Sequence, residues 1–379
     1  MKLPTSALVI LAALTAPHAA LATPQVTGDP ETVFSWAEDR CTDPDIPDTP
    51  SRAWRDASGV TRLVSGSEAS RALVGPDLDN AARECRVLFS GSGNPDPAAV
   101  DDRAWIHSTH TADGVHVVAL AHEKYHGKSG SSCNTELSPS ACWRSSIIEI
   151  SSKDGGRTFR RDGVALVASS PYRYDAGTEQ AGYFNPSNII ERGAFLYVFI
   201  WAAADREQRQ GPCLLRRPTA GGAADWRAWD GNDFSVRFAD PYREEIANPA
   251  RHVCVPITGV ASEITSVVEA PDGRLIAVTP TTRGDEAGRV PGVYWIESVD
   301  FVTWSPPELL LSVPLLQHHG CDEAEAYSYP SLLDPESPSP AYTTTGKRPW
   351  LYLVEVPLID CRAGPERNLL RFPVALPMR

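Results

Sequence analysis

The chain has 379 residues, with 48 acidic against 35 basic side chains, a formal net charge of −13, and 27 glycines and 33 prolines. So acidic a surface repels nucleic acid and anionic membranes, because phosphate binding needs a basic face, and neither is an expected partner. After the leader no apolar run approaches the length that spans a bilayer, so no membrane span is expected.

The leader comes first. Lys2 precedes an apolar run from Ala7 to Leu14, and Ala20-Leu21-Ala22 has the small-x-small form that signal peptidase cuts after. The expected product is secreted, to the periplasm or the extracellular medium, as a single monomeric domain over residues 23–379. All eight cysteines lie in that part, and an even count in an exported chain points to disulfides. The expected set is the four sequential pairs, Cys41–Cys85, Cys133–Cys142, Cys213–Cys254 and Cys321–Cys361, each stapling one local loop. No CxxC occurs, and His318, His319 and the acids up to Glu325 match no EF-hand, so neither metal nor cofactor is expected.

Helical periodicity is scarce along the rest of the chain, and a two-part unit repeats: strand, tight turn, strand, a longer excursion, then a second hairpin. The first unit runs from Arg52 through Asp56-Ala-Ser-Gly59 to Val64, then from Arg71 to Phe89. The second joins Trp105 to His122 around Ala112-Asp-Gly114, then Ser145 to Ala168 around Ser152-Lys-Asp-Gly-Gly-Arg-Thr-Phe159. The third pairs Asn188–Ile190 with Phe195–Trp201, then covers Cys213–Phe238. The fourth pairs Ile264–Glu269 with Leu275–Pro280 across Pro271-Asp-Gly273, then covers Val293–Leu311. The last pairs Tyr329–Leu333 with Trp350–Val356 and adds Leu369–Leu376, with Val33–Trp36 available to complete its sheet. Five repeats of four strands predict an all-β protein, a five-bladed β-propeller of four-stranded antiparallel blades around a central channel. A two-sheet sandwich is the competing fold, but the chain is long for one.

The stretch SKDGGRTF matches the Asp box, Ser-x-Asp-x-Gly-x-Thr-aromatic, and so resembles sialidases and related propellers with BNR repeats. Ser298-Val-Asp-Phe-Val-Thr-Trp304 is a shorter echo, lacking one residue and the glycine. The resemblance implies a structural hairpin on the face away from the active site. Five units and Tyr329-Pro-Ser-Leu-Leu-Asp-Pro335 resemble instead the arabinanase-like and fructan-hydrolase-like glycosidases. Arg52-Ala-Trp resembles the Arg-Ile-Pro that opens the first sialidase blade, without its isoleucine and proline.

Segments leading into each innermost strand are the place to look for chemistry. They carry Asp48 and Arg52, Asp101 and Asp102, Glu179 and Asn185, Glu263, and finally Asp322, Glu323, Glu325, Tyr327 and Tyr329. Glycoside hydrolysis needs two carboxyl groups, one protonated to assist departure and one ionised as nucleophile or base. The expected pair is Asp102 and Glu263, followed by Asp48 and Glu325. Arg52, His122, Tyr125, His126, Asn185, Arg283 and Tyr329 are the expected substrate-binding residues for an oligo- or polysaccharide. His122-Glu-Lys-Tyr-His126 has the HExxH spacing of zinc proteases, but it ends a strand, where the two imidazoles stand about 13 Å apart. Trp105, Tyr183, Trp201, Tyr294 and Trp295 read as core strand residues, with one or two of them available as a sugar platform. The alternatives to hydrolysis are a polysaccharide lyase with a His or Tyr base, and a non-catalytic propeller that binds glycan or protein.

Overall fold

A computed structural model describes residues 23–127, 142–174, 180–285 and 288–377. The expected leader, residues 1–22, Cys133 with its expected bridge to Cys142, and Glu179 lie outside the described residues. Strands dominate, and the one α-helix among the described residues is the single turn Trp36–Asp39. No helix among them is long and apolar enough to cross a membrane.

Hydrogen bonding groups the strands into four sheets. The first is an antiparallel meander of Arg52–Arg55, Thr61–Val64, Ser70–Gly75 and Ala82–Phe89. A ten-stranded sheet follows, in which the hairpins of the second and third predicted units are linked by Ala181–Phe184. That strand, which no periodicity announces, runs parallel to Trp143–Ser152 and antiparallel to Phe195–Ala202. The next sheet contains Ser266–Glu269, Leu275–Asp285, Gly288–Ser298 and Glu308–Ser312. In the last, Glu325–Leu333, Trp350–Ile359 and Asn368–Ala375 are joined by the strands Gln25–Val26 and Glu31–Phe34, so the first and last described strands share one sheet.

Each sheet is covered on both faces by its neighbours, and side-chain alternation along a strand serves both interfaces. In Phe195–Ala202, Leu196, Val198 and Ile200 pack against Leu120 and Ile147 of the preceding hairpins. Tyr197 and Phe199 of the same strand pack against Val267 and Leu275 of the following sheet. Further clusters join Trp54 and Val64 to Ile106 and Ile148, Val268 and Ile276 to Leu332 and Leu351, and Leu63 and Leu73 to Tyr352 and Val354. The clusters therefore run from sheet to sheet and return to the first. Each aliphatic side chain so buried contributes on the order of 1.5–3 kcal/mol.

At the centre lies Arg52, only 2% exposed. Its guanidinium donates to the carbonyls of Ser51 (3.0 Å), His107 (2.7 Å), Pro186 (3.3 Å) and Thr265 (2.7 Å), and to Ser331 Oγ (3.4 Å). One cation thus ties together chain segments spread over 280 residues of sequence, from 51 to 331.

The SKDGGRTF turn shows why its residues are specified. Asp154 Oδ1 accepts the amides of Arg157 and Thr158 at 3.0 Å each, its Oδ2 accepts the Thr158 hydroxyl at 2.7 Å, and Ser152 Oγ accepts the Gly156 amide at 2.9 Å. Gly155 and Gly156 both have positive φ, 74° and 82°. The turn then grips the preceding sheet: Trp54 Nε1 donates to Gly155 O at 3.0 Å, and Phe159 meets the Trp54 ring edge-on. The echo at Ser298–Trp304 makes the same Asp and Ser bonds, with Phe301 at φ 67° where the longer motif has glycine. Its Phe301 and Trp304 pack on Tyr197 and Phe199 of the sheet before it. A Cβ on Gly156 would stand 2.4 Å from the Trp54 ring, whereas one on Gly193, also at positive φ, meets nothing. Gly156→Ala is therefore expected to cost about 2 kcal/mol or more, left-handed strain plus overpacking, and Gly193→Ala only about 1 kcal/mol. Denaturant midpoints of the two variants check this ordering.

Three of the sequential cysteine pairs are present as disulfides, Cys41–Cys85, Cys213–Cys254 and Cys321–Cys361. They close loops of 44, 41 and 40 residues.

Candidate active site

Asn185, Glu263 and Tyr329 stand one or two residues ahead of Pro186, Thr265 and Ser331, whose polar atoms Arg52 gathers. Arg52 thereby anchors the segments that carry them, and beside these segments opens a cavity of about 680 Å³. Glu263, Asn185 and Tyr329 line it, together with His122 and Lys124. Trp143, Trp201 and Phe184 supply aromatic surface, and Gln180, Gln210 and Gln317 supply amides. Flat apolar rings beside side-chain amides suit a molecule with apolar faces and hydroxyl edges.

Two of these residues hold uncommon backbone: Asn185 has φ 45° and Tyr329 φ 58°. Asparagine adopts the left-handed region readily, but a tyrosine there is an outlier that its surroundings must impose. The left-handed turn ends each leading segment and re-aims its side chain before the innermost strand resumes.

Glu263 is the carboxylate on the cavity wall. Burial pushes its carboxyl up to about 7, and the hydrogen bond it accepts from Asn185 Nδ2 (2.9 Å) offsets only part of that shift. The His122 ring is 5% exposed, packed among Trp105, His107 and Phe184, and held neutral by burial and by Lys124. Its Nε2 has no hydrogen-bond partner among the described residues. The Tyr329 hydroxyl donates to Asp48 Oδ1 at 3.2 Å, and Arg367 forms an ion pair with the same carboxylate. Burial first, and then Asp48, hold Tyr329 far above the ordinary phenol range, so it remains a donor.

Strand alternation divides the HEKYH segment. It lies in the strand Val117–His126, where His122 and Lys124 face the cavity, while Glu123 and Tyr125 face a separate recess with Arg144, Ser170 and Tyr242. His126 lies at the strand's end, its ring stacked on Trp143 with centroids 4.6 Å apart. Among the described residues no group of three metal-ligating side chains occurs.

Of the expected pair, then, Glu263 reaches the cavity and Asp102 is absent from its lining. The Asp102 amide donates to Glu123 Oε1 (3.0 Å) and its carboxylate accepts the His126 amide (2.9 Å), which pins two strand ends together. Glu123 is buried there, and burial raises its carboxyl to about 8. Asp48 stands behind Tyr329. Glu325 is exposed and accepts from the Tyr327 hydroxyl at 2.7 Å, and Arg283 is exposed on a strand extension. Arg52, expected to meet substrate, is absent from the lining, its guanidinium engaged by buried carbonyls. Trp201, one of the aromatics available as a sugar platform, lines the cavity, whereas Lys124, Trp143 and the three glutamines were not among the expected site residues. Lys124 shares the face of His122 two residues on, a signal that alternation carries, whereas nothing local marks the glutamines.

No protein-family model matches the chain, and neither does any curated protein. Among solved structures, the chain resembles a xylan beta-1,4-xylosidase from Bacillus halodurans at 9% identity and TM-score 0.48, covering 88% of this chain and 54% of that one. It therefore spans about half the length of that protein. It also resembles an alpha-L-arabinanase of Cellvibrio cellulosa, at 12% identity and TM-score 0.45, over 86% of this chain and 90% of that one. An alpha-L-arabinofuranosidase of Fusarium graminearum, complexed with arabinobiose, gives 11% identity and TM-score 0.46 over 93% and 98%.

Proposed function

We infer that the protein is an exported five-bladed β-propeller that hydrolyses glycosidic bonds in its axial cavity, with Glu263 as the proton donor. The blade count reads the ten-stranded sheet as two units fused by the parallel pairing of Ala181–Phe184. It is supported by Arg52, whose partners come from the innermost part of every predicted repeat. The disulfides and the leader sequence support export.

One observation carries the catalytic reading: a carboxyl raised to about 7 by burial, on the wall of a cavity of aromatic rings and amides. A carboxylic acid that keeps its proton near neutrality is suited to protonate a departing glycosidic oxygen. For the second carboxylate we propose Asp48, which stands behind Tyr329, outside the cavity lining, and is held by Tyr329 and Arg367. Hydrolysis screened on a panel of plant and microbial polysaccharides, followed by new reducing ends, tests the reading. Release from at least one substrate supports it, and no release from any contradicts it.

The pH dependence follows from the same group. Activity requires Glu263 protonated, so kcat is expected to fall as pH rises through about 7. Stability moves the same way: a carboxyl whose folded value lies above its unfolded one stabilises the fold fully below the unfolded value of 4.5, and that stabilisation is lost as pH rises through about 7. Glu263→Gln is thus expected to raise the melting temperature relative to wild type at pH 8 more than at pH 5. Equal shifts at both pH values would contradict the assignment.

A second reading, a polysaccharide lyase, is favoured by one feature: neutral His122 presents an Nε2 without a partner among the described residues, two residues from the Lys124 ammonium. Unsaturated products that absorb in the ultraviolet distinguish it from hydrolysis.

A further inference from the structure

We propose that the cavity selects a hexuronate, a sugar whose ring carries a carboxylate, and that Lys124 receives that carboxylate. The inference rests on reading the cavity as a saccharide site, but it does not depend on which bond-breaking chemistry takes place there.

Lys124 is the one cation lining the cavity among the described residues. Its Nζ lies 4.2 Å from the centroid of the Trp143 ring and 4.9 Å from that of Trp105. Two indole faces hold the ammonium in place, so little further ordering is needed when an anion arrives. Among the described residues no ion pair or hydrogen bond joins Lys124 to another group, although the neighbouring arginines are matched: Arg103 with Glu68, Arg144 with Asp205, and Arg367 with Asp48. A half-buried cation with no counter-ion in contact among the described residues is costly, and burial accordingly lowers its affinity for the proton. Asp48 and Glu68 favour the ammonium only from beyond ion-pair distance and already have Arg367 and Arg103 as partners, and Glu263 keeps its proton in the acid range, so none of them meets the ammonium in contact. Hydroxyls alone leave that charge unmet, whereas a carboxylate meets it with a charge-assisted hydrogen bond. The net charge of −13 gives no long-range attraction for an anion, so the selectivity must arise at this residue.

The test uses the full exported chain and matched disaccharides: glucuronate-, galacturonate- and mannuronate-containing compounds, each against its carboxyl-reduced neutral form. Binding is measured by calorimetry at pH 6 for wild type and Lys124→Met, which keeps an apolar stem between the two indoles. At least one acidic disaccharide is expected to bind wild type tenfold or more tightly than its neutral counterpart. That preference is expected to vanish in Lys124→Met and to persist in Lys124→Arg. The proposal is overturned if no pair shows the preference, or if Lys124→Met retains it. Hydrolysis of neutral glycans without any acidic preference would remove this inference and leave the hydrolase reading intact. Acidic preference without bond cleavage would do the reverse.

Discussion

Glu263→Gln is expected to lower kcat by about a hundredfold to ten-thousandfold, the usual contribution of a positioned general acid, with little change in KM. The amide has the size of the carboxyl, and the hydrogen bond to Asn185 survives through its carbonyl oxygen, so the cavity keeps its shape. What disappears is the transferable proton. The effect should therefore depend on the leaving group: an activated aryl glycoside, whose departure needs no protonation, is expected to retain far more of its rate than a natural linkage. Uniform loss on both substrates would assign Glu263 to structure or binding. Kinetics on an aryl glycoside and an oligosaccharide separate these outcomes, with circular dichroism to verify folding.

The second large effect concerns stability. Arg52→Met is expected to cost about 3 kcal/mol or more, since hydrogen bonds to a charged donor are worth about 1.5–3 kcal/mol and several buried carbonyls would be left without one. Burial already pulls the Arg52 guanidinium down to about 9, which measures how much solvation it gives up. Lysine offers one ammonium where Arg52 directs three nitrogens at separate segments, so Arg52→Lys should recover only part of the loss. An unfolding midpoint unchanged in Arg52→Met would mean that the arginine does not tie the axial segments together. Glu263→Gln offers the useful contrast, because it should disable catalysis without this loss of stability.

How much of this was legible in the sequence depends on how local the signal is. The hairpins were, because Asp56, Asp113, Asp154 and Asp300 each accept amides two to four residues ahead, a purely local bond pattern. The strand Ala181–Phe184 was not, since its parallel pairing joins segments with no repeating signature. Glu263 stood out because an acid leads directly into an apolar strand. Asp102 has the same sequence context, yet its bonds to Glu123 and His126 turn it to a different task. Arg52 looked like a substrate ligand because burial is a tertiary property that no neighbour in the sequence reports. Lys124 was within reach: alternation places it with His122, but charged residues near a strand end read first as solvated.

The most direct test of the account is a crystal structure of Glu263→Gln soaked with an oligosaccharide that the wild type cleaves. The expected result is a sugar ring against Trp143 or Trp201, with its glycosidic oxygen within hydrogen-bonding reach, about 2.6–3.2 Å, of the residue 263 side chain. A saccharide bound outside this cavity, or one whose scissile oxygen faces away from residue 263, would contradict it.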